Sequence, residues 1–419
     1  MKEKIKFHKA WLILIACCFM QAGGIGIIVS CSGIFLNPIA QELNFGMGQL
    51  SLYMSIQGLG MVCALPLAGK LLPKVNIRIL VSTCMSICAG TFALMSQFNH
   101  LWQWYLAGAV IGFCSGFVFV MPAPIMIGNW FRKNTGLAMG IAMAFSGVGG
   151  AIVNPIGTFI ISNSGWRSAY IVLGVISALL VLPFTLFIIR FKPEDDNTTA
   201  YGSEGLENQK SSSKQKSEVT GVSSKIAVKS LAFVCIFIMA GLIAFVSTYL
   251  QHLPSYAVTI GFAAAVGGTM ASAVMIGNIV GKLGLGFLND KLGEKNATIS
   301  GLIVVMISFA LMLFSKGNTA LAITGAFLYG FVMAMSSVSV PLIVRKVFGS
   351  KDYSSIFSYV TMGTQLIGSF GISVIGFMYD GFGSYVPSFY IGMIVCVLAI
   401  VSIIGAFKSV KKLYASVNN

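Results

Sequence analysis

One lysine, Lys282, stands inside an apolar run eight residues before Asp290, which on a helix places it about 12 Å from the charged end of that run. A cation at that depth is costly to keep and marks a substrate or ion pathway. Asn278 lies one helical turn earlier on the same face. Together, an ammonium and an amide can neutralise and hydrogen-bond a carboxylate; alternatively the long lysine stem snorkels to the nearer interface. Other polar residues fall near the middle of apolar runs: Gln21, Ser30, Ser115, Asn154, Tyr249, His252, Tyr329, Ser336, Tyr359 and Gln365. Each can serve a ligand or a helix-to-helix hydrogen bond. No catalytic or metal constellation accompanies them. His8, His100 and His252 are far apart, and neither H-E-x-x-H nor G-x-S-x-G occurs. An enzyme is therefore not expected, nor a cofactor, nor a channel, since no ring of like charges or filter sequence is present.

The elements that position these residues follow from composition. Of 419 residues, 56% are apolar and 9% charged, against roughly 25% charged in soluble folds, and mean hydropathy is +0.87. The solvent must be lipid. Twelve runs reach the ~20 residues needed to cross a bilayer, at approximately 10–36, 47–70, 79–97, 101–130, 135–162, 167–190, 229–253, 260–286, 295–315, 319–345, 353–379 and 385–408. The first is too long for a cleavable signal peptide and leads directly into the second. Of the 27 cations all but Arg167, Lys282 and Lys316 fall in the terminal regions and loops of one side. By the positive-inside rule that side is cytoplasmic and holds both termini, in a cell membrane. The net charge of +15 is therefore topological, and nucleic acid is not the expected partner. The nine cysteines (17, 18, 31, 63, 84, 88, 114, 235 and 396) sit within the spans without C-x-x-C spacing and read as free, packed thiols.

Between Lys192 and Lys225 the chain turns polar and rich in Ser, Glu, Lys and Asn, the composition of a flexible linker. It divides the chain into an N-terminal half, 1–190, a cytoplasmic linker, 191–228, and a C-terminal half, 229–419. Shifting the first half by 217 residues superposes Gly60 on Gly277, Gly69 on Gly286, Leu71 on Leu288, Gly108 on Gly325, Pro124 on Pro341 and Phe131 on Phe348. A duplicated six-helix unit of this kind places a substrate site between its halves near the bilayer midplane, with access alternating as one half rocks against the other.

Three motifs identify a family. Gly286 to Lys295 (GFLNDKLGEK) resembles the signature loop of the major facilitator superfamily, in which the resemblance implies that Asp290, beside Lys291, contacts a neighbouring helix N-terminus and locks the cytoplasmic side. Its first-half counterpart keeps Gly69, Leu71, Lys74 and Arg78 but has Pro73 where the acid belongs, so gating is expected to rest unequally on Asp290. Ile125 to Ala142, with an aromatic pair, a basic loop and then G-x-A-x-G-like small residues, resembles the monocarboxylate porters and the oxalate:formate antiporters. In those families a basic residue, usually Arg, stands four positions before the signature glycine and binds the substrate carboxylate. Lys282 has that spacing to Gly286, and Asn278 stands where an acidic or amide residue commonly precedes it. Lys replaces a bidentate fork with a point charge. The lysine of the first span and the aspartate of the eighth found in animal-type members are both missing. Tyrosines around the anion in such proteins favour Tyr329 and Tyr359.

The expected protein is an all-α membrane protein of 12 transmembrane helices in two six-helix halves, the major facilitator fold. It is a monomer in contact with membrane lipid. It is expected to move a small organic anion as symporter or antiporter, with a coupled proton or counter-anion. The substrate would meet Lys282, Asn278, Tyr329, Tyr359 and Gln365, and gating would use Gly286, Asp290, Lys291, Gly69, Lys74 and Arg78. The alternative is a permease or efflux pump of the same fold for an amphipathic or neutral solute, such as a drug or bile acid.

Overall fold

The structure, a computed structural model, describes residues 8–72, 74–196, 198–203, 221–349 and 351–418. Pro73, the lysines at 2, 4 and 6, and most of the expected linker, 204–220, lie outside the described residues, and the side chains of Lys411 and Lys412 are not described.

Among the described residues ten helical segments are long and apolar enough to cross a membrane. They are α1 (Lys9–Leu43), α2 (Met47–Leu71), α3 (Ile77–Gln97), α4 (Leu101–Trp130), Leu137–Ile188, α7 (Leu231–Thr259), Ala264–Leu313, α10 (Thr319–Phe348), α11 (Ser355–Phe382) and α12 (Val386–Val410). Two of the ten, at 52 and 50 residues, exceed by more than twofold the ~20 residues that span ~30 Å of hydrocarbon. Each is a hairpin. Leu137–Ile188 bends at Gly165 (φ 79°, ψ 163°) and Ala264–Leu313 at Gly293 (φ 75°, ψ 159°), backbone that is open essentially to glycine alone. Across the first bend Leu173 comes within 3.2 Å of where a Cβ on Gly157 would lie, although a straight helix would hold residues this far apart in sequence about 24 Å apart. Leu285 and Gly301 meet in the same way across Gly293. The arms are α5 and α6 on either side of Gly165, and α8 and α9 on either side of Gly293. Among the described residues the crossings number twelve, as the apolar runs imply, so the start of α1 and the end of α12 lie on one side, termed the basic side below.

Buried apolar side chains form two clusters, one within Ala10–Ile189 and the other within Val222–Ala406. The sequence repeat reappears in packing. Gly112 of α4 lies against the Gln57 carbonyl of α2, and Gly330 of α10 against the Val274 carbonyl of α8, with no room for a Cβ at either. The two carbonyls differ by the expected 217 residues and the two glycines by 218. Trp130 Nε1 donates to the Arg190 carbonyl at 3.1 Å and Asn129 Nδ2 to that of Phe191 at 2.9 Å, which ties the end of α4 to the end of α6. Asp352, ahead of α11, accepts the Ser224 N–H at 2.8 Å. That backbone donor holds its carboxyl below the usual carboxylate range.

Candidate functional site: a cavity between the halves

Four helices are broken within their spans. α1 widens into a π-helix over Ala22–Val29, α4 over Gly116–Val120, α7 tightens to 3-10 geometry over Thr248–His252, and α10 is interrupted at Val338. Such breaks release backbone groups that lipid cannot solvate, so they persist only where protein or a polar cavity supplies partners. The breaks in α1, α4 and α7 border a cavity of ≈ 430 Å³, whose walls come from α1, α2 and α4 of one half and α7, α10 and α11 of the other. Its polar lining consists of Ser30, Ser32, Gln57, Ser115, Ser247, Thr248, Gln251, Ser336, Thr364, Gln365 and Ser369, interspersed with Met54, Met61 and Met333. None of the lining side chains carries a charge.

On the side away from the termini the halves are sealed by a ladder between α2 and α11. Its top rung is Asp380, whose two carboxylate oxygens accept the N–H groups of Met47 and Gly48 at 2.8 and 2.7 Å, at the N-terminus of α2. The next rungs, one per turn, set Ser51 against Gly376, join Ser55 Oγ to Ser373 Oγ at 2.5 Å and press Ser369 onto Gly58. Below Gly58 the ladder stops, because Met61 and Gln365 face the cavity instead. Gln251 Nε2 adds a bond from α7 to the Val29 carbonyl of α1 at 3.1 Å. On the basic side Gly69, Gly140 and Gly286 have no neighbouring atom within 4 Å of a Cβ position. The bonded seal between the halves thus lies at the end away from the termini.

The sequence-predicted residues divide between wall, lock and approach. Gln365 lines the cavity. Tyr329 is fully buried and repairs the break in α7: its hydroxyl donates to the Val246 carbonyl at 2.7 Å and accepts the Leu250 N–H at 3.2 Å. Tyr359 is 50% exposed and lies outside the lining. Asn278 is buried with Oδ1 lacking a hydrogen-bond partner. Lys282 is half-buried and makes no hydrogen bond or ion pair with the described residues. At 100° per residue it shares one stripe of α8 with Ala271, Met275 and Asn278. Met275 and Ser30 both reach within 3.3 Å of a Cβ position on Gly150, so this stripe abuts the cavity wall. Lys282 sits two turns further toward the open side, about 10 Å along the axis, with its Cα–Cβ bond tilted back toward the helix N-terminus and hence toward the cavity.

Of the gating candidates, Asp290 is exposed and unpaired among the described residues, Lys291 lies over the Phe287 ring at 4.4 Å, and Gly286 and Gly69 are open. Lys74 is exposed. Arg78 turns to its own half, with Nε donating to the Ile189 carbonyl at 3.1 Å and Nη2 to that of Phe187 at 2.8 Å. Gln21 and His252 are structural in the same sense as Tyr329. Gln21 Nε2 donates to the Phe119 carbonyl freed by the α4 break at 2.7 Å, and His252 Nε2 lies 2.7 Å from the Ile372 carbonyl. Among the participants that escaped the sequence reading are Gln57, Gln251, Thr364 and Ser369 of the lining and Asp380 of the seal. Gln57, although polar and inside an apolar run, needed the packing to reveal its direction, and Asp380 closes an apolar run whose contact lies 333 residues away.

Twelve crossings among the described residues, broken helices around a cavity between the halves, and a bonded seal at one end of it are the architecture of a membrane transporter. The profile of the Major Facilitator Superfamily matches residues 11–281 and 253–415, and the chain belongs to that family. Among its relatives, the probable transporter MCH2 of Saccharomyces cerevisiae is 28% identical over 353 residues, 83% of this chain and 71% of that protein. Monocarboxylate transporter 12 of Mus musculus is 23% identical over 412 residues, 90% and 81% of the two chains. Among solved structures, a bacterial homologue of the human lysosomal transporter Spinster, inward-facing and unoccupied, superposes with a TM-score of 0.74 at 13% identity, covering 98% of each chain. The nucleoside transporter NupG gives 0.72 at 18%, covering 95% of this chain and 100% of its own. The protein is a multi-pass secondary transporter that resembles the monocarboxylate porters, and its relatives are transporters rather than enzymes.

Proposed function

We propose that the protein carries a small organic anion, of monocarboxylate or oxalate/formate type, across the cell membrane, with both termini in the cytoplasm. Residues 1–190 and 229–419 rock as two bodies joined by the linker 191–228. The observation that carries this reading is Lys282, a half-buried cation without a partner on the cavity-facing stripe of α8, one turn from the unsatisfied Asn278 Oδ1. An anion supplies the partner that the helix lacks. Entering from the open basic side, the carboxylate meets Lys282 first, and the remainder of the solute reaches Gln365, Gln57 and the hydroxyls of the cavity. A proton or counter-anion travels with the cycle. When the basic side closes, Asp290 gains the helix-terminus contact it lacks in the open state, while Asp380 leaves α2 and the far seal opens.

A second reading, transport of a neutral or amphipathic solute, is favoured by one observation: no charged side chain lines the cavity itself. Binding separates the two. Thermal unfolding of purified protein should shift upward with short carboxylates and 2-oxo acids but not with their amides, and the shift should vanish in Lys282→Ala. Equal shifts for acids and amides, unaffected by Lys282→Ala, would establish the neutral solute instead.

A further inference from the structure

A second pocket, of ≈ 450 Å³, lies at the basic side between the start of α3 and the end of α6. Four cations line it, Lys74, Arg78, Arg190 and Lys192, against one carboxylate, Asp195. Neighbouring Asp196 lies 2.9 Å from Lys9 and, through its other oxygen, 4.0 Å from Arg190. The two guanidiniums are fixed by carbonyls of the last turn of α6: Arg78 bonds Ile189 and Phe187, and Arg190 bonds Ile189 at 3.0 Å. The two ammonium groups have no hydrogen-bond or ion-pair partner among the described residues.

This excess has a sequence origin. The second-half signature loop balances Lys291 and Lys295 with Asp290 and Glu294, whereas its first-half counterpart, with proline in place of the aspartate, retains Lys74 and Arg78 without an acid. The fold then adds two more cations from the end of α6. Preorganised guanidiniums and free ammoniums match the oxygens of a phosphate.

We propose that this pocket binds the phosphate headgroup of an anionic phospholipid. A lipid rather than a free phosphate is indicated by the rim. Ile79, next to Arg78, is 64% exposed, and Phe187, whose carbonyl Arg78 holds, is 74% exposed. These apolar side chains mark the hydrocarbon boundary, so the pocket opens at headgroup level, where basic clusters between helix ends meet anionic lipid.

Native mass spectrometry of the full chain tests this with phosphatidylglycerol, phosphatidylcholine and inorganic phosphate as probes. Phosphatidylglycerol should be retained better than phosphatidylcholine by about tenfold or more, and the double variant Lys74→Gln/Lys192→Gln, which leaves the Arg78 and Arg190 contacts intact, should lose most of that preference. Lys225→Gln/Lys229→Gln, which removes two exposed cations of the same side outside the pocket, should keep it. Equal retention of the two lipids, or equal loss in both double variants, would overturn the site. Inorganic phosphate displacing phosphatidylglycerol at comparable concentration would overturn the lipid assignment.

Discussion

Tyr329 holds two backbone groups that α7 cannot satisfy alone, the Val246 carbonyl and the Leu250 N–H. In sequence it is a tyrosine at mid-span, equally suited to a ligand or to a helix contact, and only the 3-10 turn of α7 decides between them. Tyr329→Phe should leave both groups unpaired and lower stability by about 1–3 kcal/mol, read as a fall in the thermal midpoint of purified protein. An unchanged midpoint would mean that water replaces the hydroxyl. Lys282 was legible from sequence for the opposite reason: a charge inside an apolar run has few explanations. Gln365 was legible too, as a polar residue at mid-span, whereas Gln57 faces the cavity through a helix rotation that composition does not encode.

At the scale of elements, the apolar runs mark all twelve crossings because lipid requires every span to be long and continuous in hydropathy. What they hide is where helices break. Gly165 and Gly293 turn two long helices into hairpins, and neither has an atom near its Cβ position, so the constraint is backbone conformation alone. Gly293→Ala should therefore destabilise by about 1–3 kcal/mol, whereas Gly286→Ala, equally open but helical, should be neutral in the same melting experiment. Matching losses at both positions would contradict the conformational argument. The π-helical turns of α1 and α4 were invisible for a different reason: they are set by close packing, such as Gly24 against the Phe119 ring.

For the whole molecule, the asymmetry between sealed and open ends rests on the α2–α11 ladder, with Asp380 as its only charged rung. Asp380→Asn removes a charge from a helix N-terminus, worth ~0.3–1 kcal/mol, and should raise the far-side-open population by about two- to fivefold. A cysteine placed at Ser369, on the lowest rung, should then react faster with an impermeant thiol reagent added from that side. No change in rate would show that the small-residue rungs alone hold the seal. This juxtaposition of the halves is the part of the mechanism that no local sequence pattern contains.

The central claim is that Lys282 receives the anionic group of the solute, and uptake into proteoliposomes tests it most directly. With radiolabelled short monocarboxylates at matched insertion, Lys282→Gln should abolish uptake, while Lys282→Arg, which keeps the charge, should retain part of it. Uptake by the Gln variant equal to wild type would contradict the account, and would leave Lys282 as a snorkelling residue beside a carrier of neutral solutes.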